Sequence, residues 1–163
     1  MKVALPPFQR LVDDHWRDVA RLAGALAGSQ GGDDVAQQAW AKALAAYPSL
    51  TDARNLRSWL LTITARTAID FGRARSRRAL PIDPVPERPV PPFEVADDGL
   101  WGQVRALPER QRMAIALHYI ADLAHSDVAA ALGTTPAASR RLVSDALKAL
   151  RLSIGTNPME VGG

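Results

Sequence analysis

The chain has 163 residues, 47% of them apolar, with 20 Lys plus Arg against 17 Asp plus Glu and a formal net charge of +3. That length holds one ordinary domain or two small ones, and the apolar content supports a packed core. The absence of cysteine excludes disulfides, thiol chemistry and Cys-built zinc sites.

From the N-terminus, apolar residues at Phe8, Leu11, Val12, Trp16, Val19, Leu22, Ala23 and Leu26 recur at steps of three and four, predicting a helix over about 8–26. Ser29, Gly31 and Gly32 end it. A second helix starts near Asp33, whose side chain is placed to cap free N–H groups. It buries Val35, Ala36, Trp40 and Leu44 and stops before Pro48. A third runs from about Ala53 to Arg75, with Leu56, Trp59, Leu60, Ile63, Thr67 and Phe71 on one face. No segment alternates with period two, so no sheet is expected.

Six of the twelve prolines fall between Pro81 and Pro92, a density no helix survives. Residues 79–97 therefore read as an extended linker. From Ala79 to Asp98 five carboxylates face Arg88 alone, a net of −4. Residues 54–78 are the opposite, with seven arginines facing only Asp70, a net of +6. The small overall charge hides this asymmetry, which bears on partners rather than fold.

Beyond the linker four shorter helices are predicted, at Asp98–Leu107, Glu109–Ala121, Ser126–Leu132 and from Thr135 to about Ser153. Pro108 suits a first turn, and Pro136 follows a Thr135 cap. The expected fold is all-α. A three-helix N-terminal domain (1–78) and a four-helix C-terminal domain (98–154) flank the Pro-rich acidic linker (79–97). Residues 155–163 read as a flexible tail. The longest uncharged run, 128–139, is twelve residues and contains Gly133 and Pro136, short of the ~20 apolar residues of a membrane span. Pro6 and Pro7 interrupt the stretch where a signal peptide would be apolar. A cytoplasmic location is expected.

Around Gly133 the spacing fits a helix-turn-helix. Ala129 is small where two helices cross closely, and Gly133, four positions on, tolerates positive φ in the turn. Arg140, Ser144, Lys148 and Arg151 then share a stripe able to lie along phosphates. An ordinary helix corner with a solvated basic face has the same spacing. Two positions depart from the pattern. Ser139 stands where an apolar residue packs inward, and Asp145 adjoins the basic stripe. In the third helix Arg66, Arg73 and Arg77 form a second basic face. Trp59, near its start, suits either the core or an unstacked base. Asp70 reads as an i,i+4 partner of Arg66. His15, His118 and His125 have no carboxylate at ligand spacing, so no metal site is expected. No phosphate-cradling glycine loop, GxSxG or HExxH is present, and neither an enzyme nor a cofactor is implied.

The order of parts resembles an extracytoplasmic-function (ECF, group IV) RNA polymerase sigma factor, over about residues 8–152. Three stretches carry the resemblance. They are Asp33-Asp34-Val-Ala-Gln-Gln-Ala-Trp40, Leu56-Arg-Ser-Trp-Leu-Leu-Thr-Ile63 followed by Ala68-Ile-Asp-Phe71 and the arginines, and Leu107-Pro-Glu-Arg-Gln-Arg112 leading to Ala129 and Gly133. The resemblance implies docking of Asp33, Asp34, Gln37 and Gln38 on the β′ coiled coil of core RNA polymerase. It implies contact of Asn55, Trp59, Arg66, Arg73 and Arg77 with the −10 promoter element, and of Arg140, Arg141, Ser144 and Lys148 with the −35 element. It also implies a β-flap contact, entry of the linker into polymerase channels, and often an anti-sigma partner. The helix-turn-helix diverges from the family, in Leu142 and Asp145 as well as Ser139. Two other readings stay open: a sigma-like protein that binds a regulator without initiating transcription, and a free-standing helix-turn-helix regulator.

Overall fold

The computed structural model describes residues 4–78 and 99–155, with only the backbone of the last three. The linker expected at 79–97 and the tail beyond Gly155 lie outside the described residues. Among those described, every regular element is helical. In chain order these are α1 (Phe8–Ala46), a 3₁₀ turn (Tyr47–Ser49), α2 (Leu56–Arg78), α3 (Leu100–Arg105), α4 (Glu109–Ile115), α5 (His125–Leu132) and α6 (Pro136–Gly155). Between α4 and α5, residues Ala116–Ile120 continue the helix as one π-turn.

The first two predicted helices are one element, α1, broken inside at Gly28 (φ 80°, ψ 177°). Only glycine adopts that conformation cheaply. The expected end at Gly31 and Gly32 is corrected, because both lie buried inside the second half of α1. A Cβ on Gly31 would sit 2.7 Å from the Phe71 ring, and one on Gly32 would sit 3.0 Å from the Gly24 backbone. Both positions serve close packing, and Gly28 makes the turn.

Leu11, Val19, Leu22, Leu26, Val35 and Ala43 of α1 pack on Leu60, Leu61, Ala65 and Ile69 of α2. Two apolar expectations are corrected: Leu44 is 55% and Trp16 52% exposed, and Arg17 lies over the Trp16 indole. Trp40, Phe8, Tyr47 and Trp59 form an edge-packed aromatic chain, and the Tyr47 hydroxyl donates to the Pro6 carbonyl. Arg57 at the start of α2 donates to Asp18 of α1 at 3.2 Å, which fixes how the two helices lie against each other.

The buried positions of α2 exceed one stripe, running through Leu60, Leu61, Thr64, Ala65, Thr67, Ala68 and Ile69. A helix covered on a single side buries one stripe. Here the C-terminal helices cover a second side. Met113, Ala114, Leu117, Leu123 and Val128 join the same continuous core as α1 and α2, while Val104, Leu107, Ile115, Ala146 and Leu150 make a smaller one.

Candidate functional site

The second half of α1 turns its apolar residues, Val35, Ala39 and Ala43, into the core. Its other side therefore faces outward, and Asp33, Asp34, Gln37 and Gln38 are all exposed on it. Asp34 and Gln38 also line a cleft shared with Asp70, Arg75, Arg77 and Arg78 of α2. The acid-led face and the arginine-rich end of α2 thus adjoin.

The five residues expected at −10 DNA are spread along α2 and the turn before it. Asn55 is exposed and its carbonyl accepts the first helical N–H, from Trp59. Trp59 is half-buried, held by Tyr47 at 6.2 Å between ring centres. Ahead of them Asp52 accepts from the Arg54 backbone (2.9 Å) and from its guanidinium. These hydrogen bonds hold the Asp52 carboxyl below its usual pKa and order the turn.

Arg66, Arg73 and Arg77 are exposed, but two of them already have protein partners. The Arg66 guanidinium donates to the Ala131 carbonyl at 2.7 Å. Ala131 lies in the last turn of α5, where carbonyls lack helical partners and cations are favoured. The expected pairing of Arg66 with Asp70 gives way to this contact. Arg73 grips Glu109, at the start of α4, through Nε (2.6 Å to Oε1) and a second guanidinium nitrogen. The paired guanidinium holds the Glu109 carboxyl below its usual range.

Gly133 adopts the left-handed conformation the turn requires (φ 65°, ψ 40°). Thr135 caps α6 through its hydroxyl, which accepts the Ala138 N–H at 3.1 Å. α6 turns Val143, Ala146 and Leu150 inward, leaving Arg140, Arg141, Ser144 and Lys148 exposed, with Asp145 among them. Ser139 is fully buried, and its hydroxyl pairs with His125 Nδ1 at 3.0 Å. The inward position is therefore filled by a polar group whose partner is supplied. His125 stacks on His118 with ring centres 4.1 Å apart, and His118 Nδ1 bonds the Leu123 carbonyl at 2.9 Å.

Sequence reasoning missed this histidine stack, Arg105 and the role of Glu109. The signal for the stack was a serine at an inward position, which demands a buried partner. The charged residues of Leu107-Pro-Glu-Arg-Gln-Arg112 make internal contacts. Arg112 donates to the Arg105 carbonyl at 2.7 Å and Arg110 to the Leu132 carbonyl at 3.4 Å. Burial pushes the Arg112 guanidinium below its usual pKa. No group of three or more His, Cys, Asp or Glu suited to a metal occurs among the described residues, and no described helix is long and apolar enough to cross a membrane.

A helical pair followed by a four-helix unit with a helix-turn-helix defines a two-domain, all-α protein of the kind that reads DNA. Residues 11–78 match Sigma-70 region 2, and residues 99–150 match Sigma-70, region 4. RNA polymerase sigma factor SigV of Bacillus subtilis is 27% identical over 146 residues, 88% of each chain. ECF RNA polymerase sigma factor SigK of Mycolicibacterium vanbaalenii is 32% identical over 140 residues, 75% of this chain and 66% of that one. Among solved structures, sigma factor RpoE bound to the anti-sigma factor NepR, from Bartonella quintana, has a similar fold. Its TM-score is 0.70 at 21% identity, covering 92% of this chain and 98% of that one. CnrH in complex with the cytosolic domain of CnrY gives 0.72 at 22% identity, covering 92% and 88%. The chain belongs to the sigma-70 family, in its extracytoplasmic-function group, and is a sigma factor of transcription initiation.

Proposed function

We propose that this sigma factor docks on core RNA polymerase through Asp33, Asp34, Gln37 and Gln38. Asn55, Trp59, Arg66, Arg73 and Arg77 then engage −10 DNA, and Arg140, Arg141, Ser144 and Lys148 engage −35 DNA. The observation that carries this reading is the sorting of surfaces on one chain. An acid-led face with no basic residue in it adjoins an arginine-rich helix, and a second basic stripe lies on α6. Arginines supply the salt-dependent hold on phosphate. Trp59, anchored on one side by Tyr47, offers a rigid platform against an unstacked base. Two domains on one chain gain affinity through effective concentration, so each contact can be weak alone. The accommodation of Ser139 by His125 supports a working −35 reader. The protein acts by binding, without a catalytic step or cofactor, in the cytoplasm. The relatives seen with NepR and with CnrY support a protein regulator for this chain too.

The test is titration against core polymerase in competition with a labelled housekeeping sigma factor. The wild-type chain displaces it. Asp33→Lys with Asp34→Lys weakens displacement at least tenfold, a loss of about 1.4 kcal/mol, with helical content unchanged by circular dichroism. Unchanged displacement by the double variant moves the docking face elsewhere.

A further inference from the structure

Of three arginines on the exposed face of α2, two reach across to the C-terminal helices. Arg66 caps the Ala131 carbonyl of α5 at 2.7 Å, and Arg73 holds Glu109 at the start of α4. The Gly133 turn lies over the same stretch, lining one cleft with Arg66, Asp70, Arg73 and Glu109. A third tie comes from the other side. Arg105 approaches Gly28, where the break in α1 interrupts the helical ladder, and donates to the Ala25 carbonyl at 3.4 Å. The apolar core continues from α1 and α2 into the segment 113–128.

Phosphate and carboxylate compete for the same guanidinium geometry. A carboxylate that accepts from two nitrogens of one guanidinium leaves no second bidentate face in the same direction. A backbone carbonyl at a helix C-terminus is a weaker competitor, but it carries the negative end of the helix dipole. The two acceptors that occupy Arg66 and Arg73 therefore imitate the charge of a DNA backbone.

We propose that the packed arrangement is a self-masked state, in which the C-terminal domain occupies the −10 face. Glu109 is the residue that stands in for phosphate at Arg73. DNA and the C-terminal domain compete for this face, and core polymerase opens it by separating the domains. The inference rests on the −10 role proposed above for Arg66 and Arg73. It makes the free chain a poor DNA binder by construction.

The test uses the full chain, and the absence of native cysteine makes labelling direct. Lys42→Cys and Ser126→Cys place one dye on each domain at exposed positions. Glu109→Gln removes the carboxylate and keeps its shape. Asp127→Asn makes the same change of net charge on the first turn of α5, away from the arginines, and serves as the control. Binding of a short fluorescein-labelled single-stranded DNA of mixed sequence tightens about two- to fivefold in Glu109→Gln, the range expected for one exposed ion pair. The dye separation lengthens in parallel, and Asp127→Asn changes neither. Core polymerase lengthens the separation in the wild-type chain. Equal DNA binding by the two variants would overturn the inference, as would a separation that stays fixed while the housekeeping factor is displaced. Failure of polymerase binding itself would count against the docking proposal instead, and the comparison of variants in the free chain would still decide the masking.

Discussion

A hydroxyl with no exposed surface, such as that of Ser139, destabilises the fold unless something bonds it. His125 does so from another helix, and the two are fourteen residues apart. Nothing in the sequence names that partner, although a serine at an inward-facing position shows that one is needed. The arrangement makes His125 a pH-sensitive residue. Desolvation, then the neighbouring His118, then Arg140 push its pKa below the usual value, so the folded state prefers the neutral ring. The unfolded chain then binds the proton more readily, and stability rises with pH across this window. Thermal stability is therefore expected to fall as pH drops through about 6.5, the unfolded value, and to keep falling until the folded value is passed. In His125→Gln this part of the decline disappears. Identical melting-temperature profiles for variant and wild type would remove the stacked histidines from the pH response.

At the scale of elements, most helices are legible because their apolar positions recur at 3.6-residue spacing. The Gly133 turn and the Thr135 cap are legible for a different reason, since each needs a particular residue type. The break in α1 is not legible. Gly28, Ser29, Gly31 and Gly32 all invite a chain reversal, and only packing decides among them. Gly32 meets the Gly24 backbone and Gly31 meets the Phe71 ring, so both are needed inside a helix where the propensity scale disfavours them. A contrast between neighbours checks this. Gly32→Ala, pressed against backbone, is expected to destabilise by about 1–3 kcal/mol. Gly24→Ala has nothing within 4 Å of its added methyl and is expected to stabilise by up to ~1 kcal/mol. Chemical denaturation of both variants is the measurement, and equal effects would place the close contact elsewhere.

At the scale of the whole molecule, the arginines of α2 read in the sequence as a face open to phosphate. Their exposure bears that out, but the partners of Arg66 and Arg73 lie 65 and 36 residues away, beyond any local pattern. The continuous core has a direct thermodynamic consequence. The free chain is expected to unfold in one calorimetric transition whose van't Hoff and calorimetric enthalpies agree. Two separated peaks would mean that the domains melt independently and that the shared core adds little. The π-turn at Ala116–Ile120 has another consequence, concerning chain length rather than chemistry. Its Ala116 carbonyl accepts from Ala121, five residues on, so the turn accommodates one residue more than a regular helix. Losing that residue would rewind the turn, rotating everything downstream by about 100° and drawing it back ~1.5 Å. The heading of the recognition helix is thus set by a count of residues at one spot. A single-codon deletion there would re-aim α5 and α6 while leaving every side chain on them unchanged.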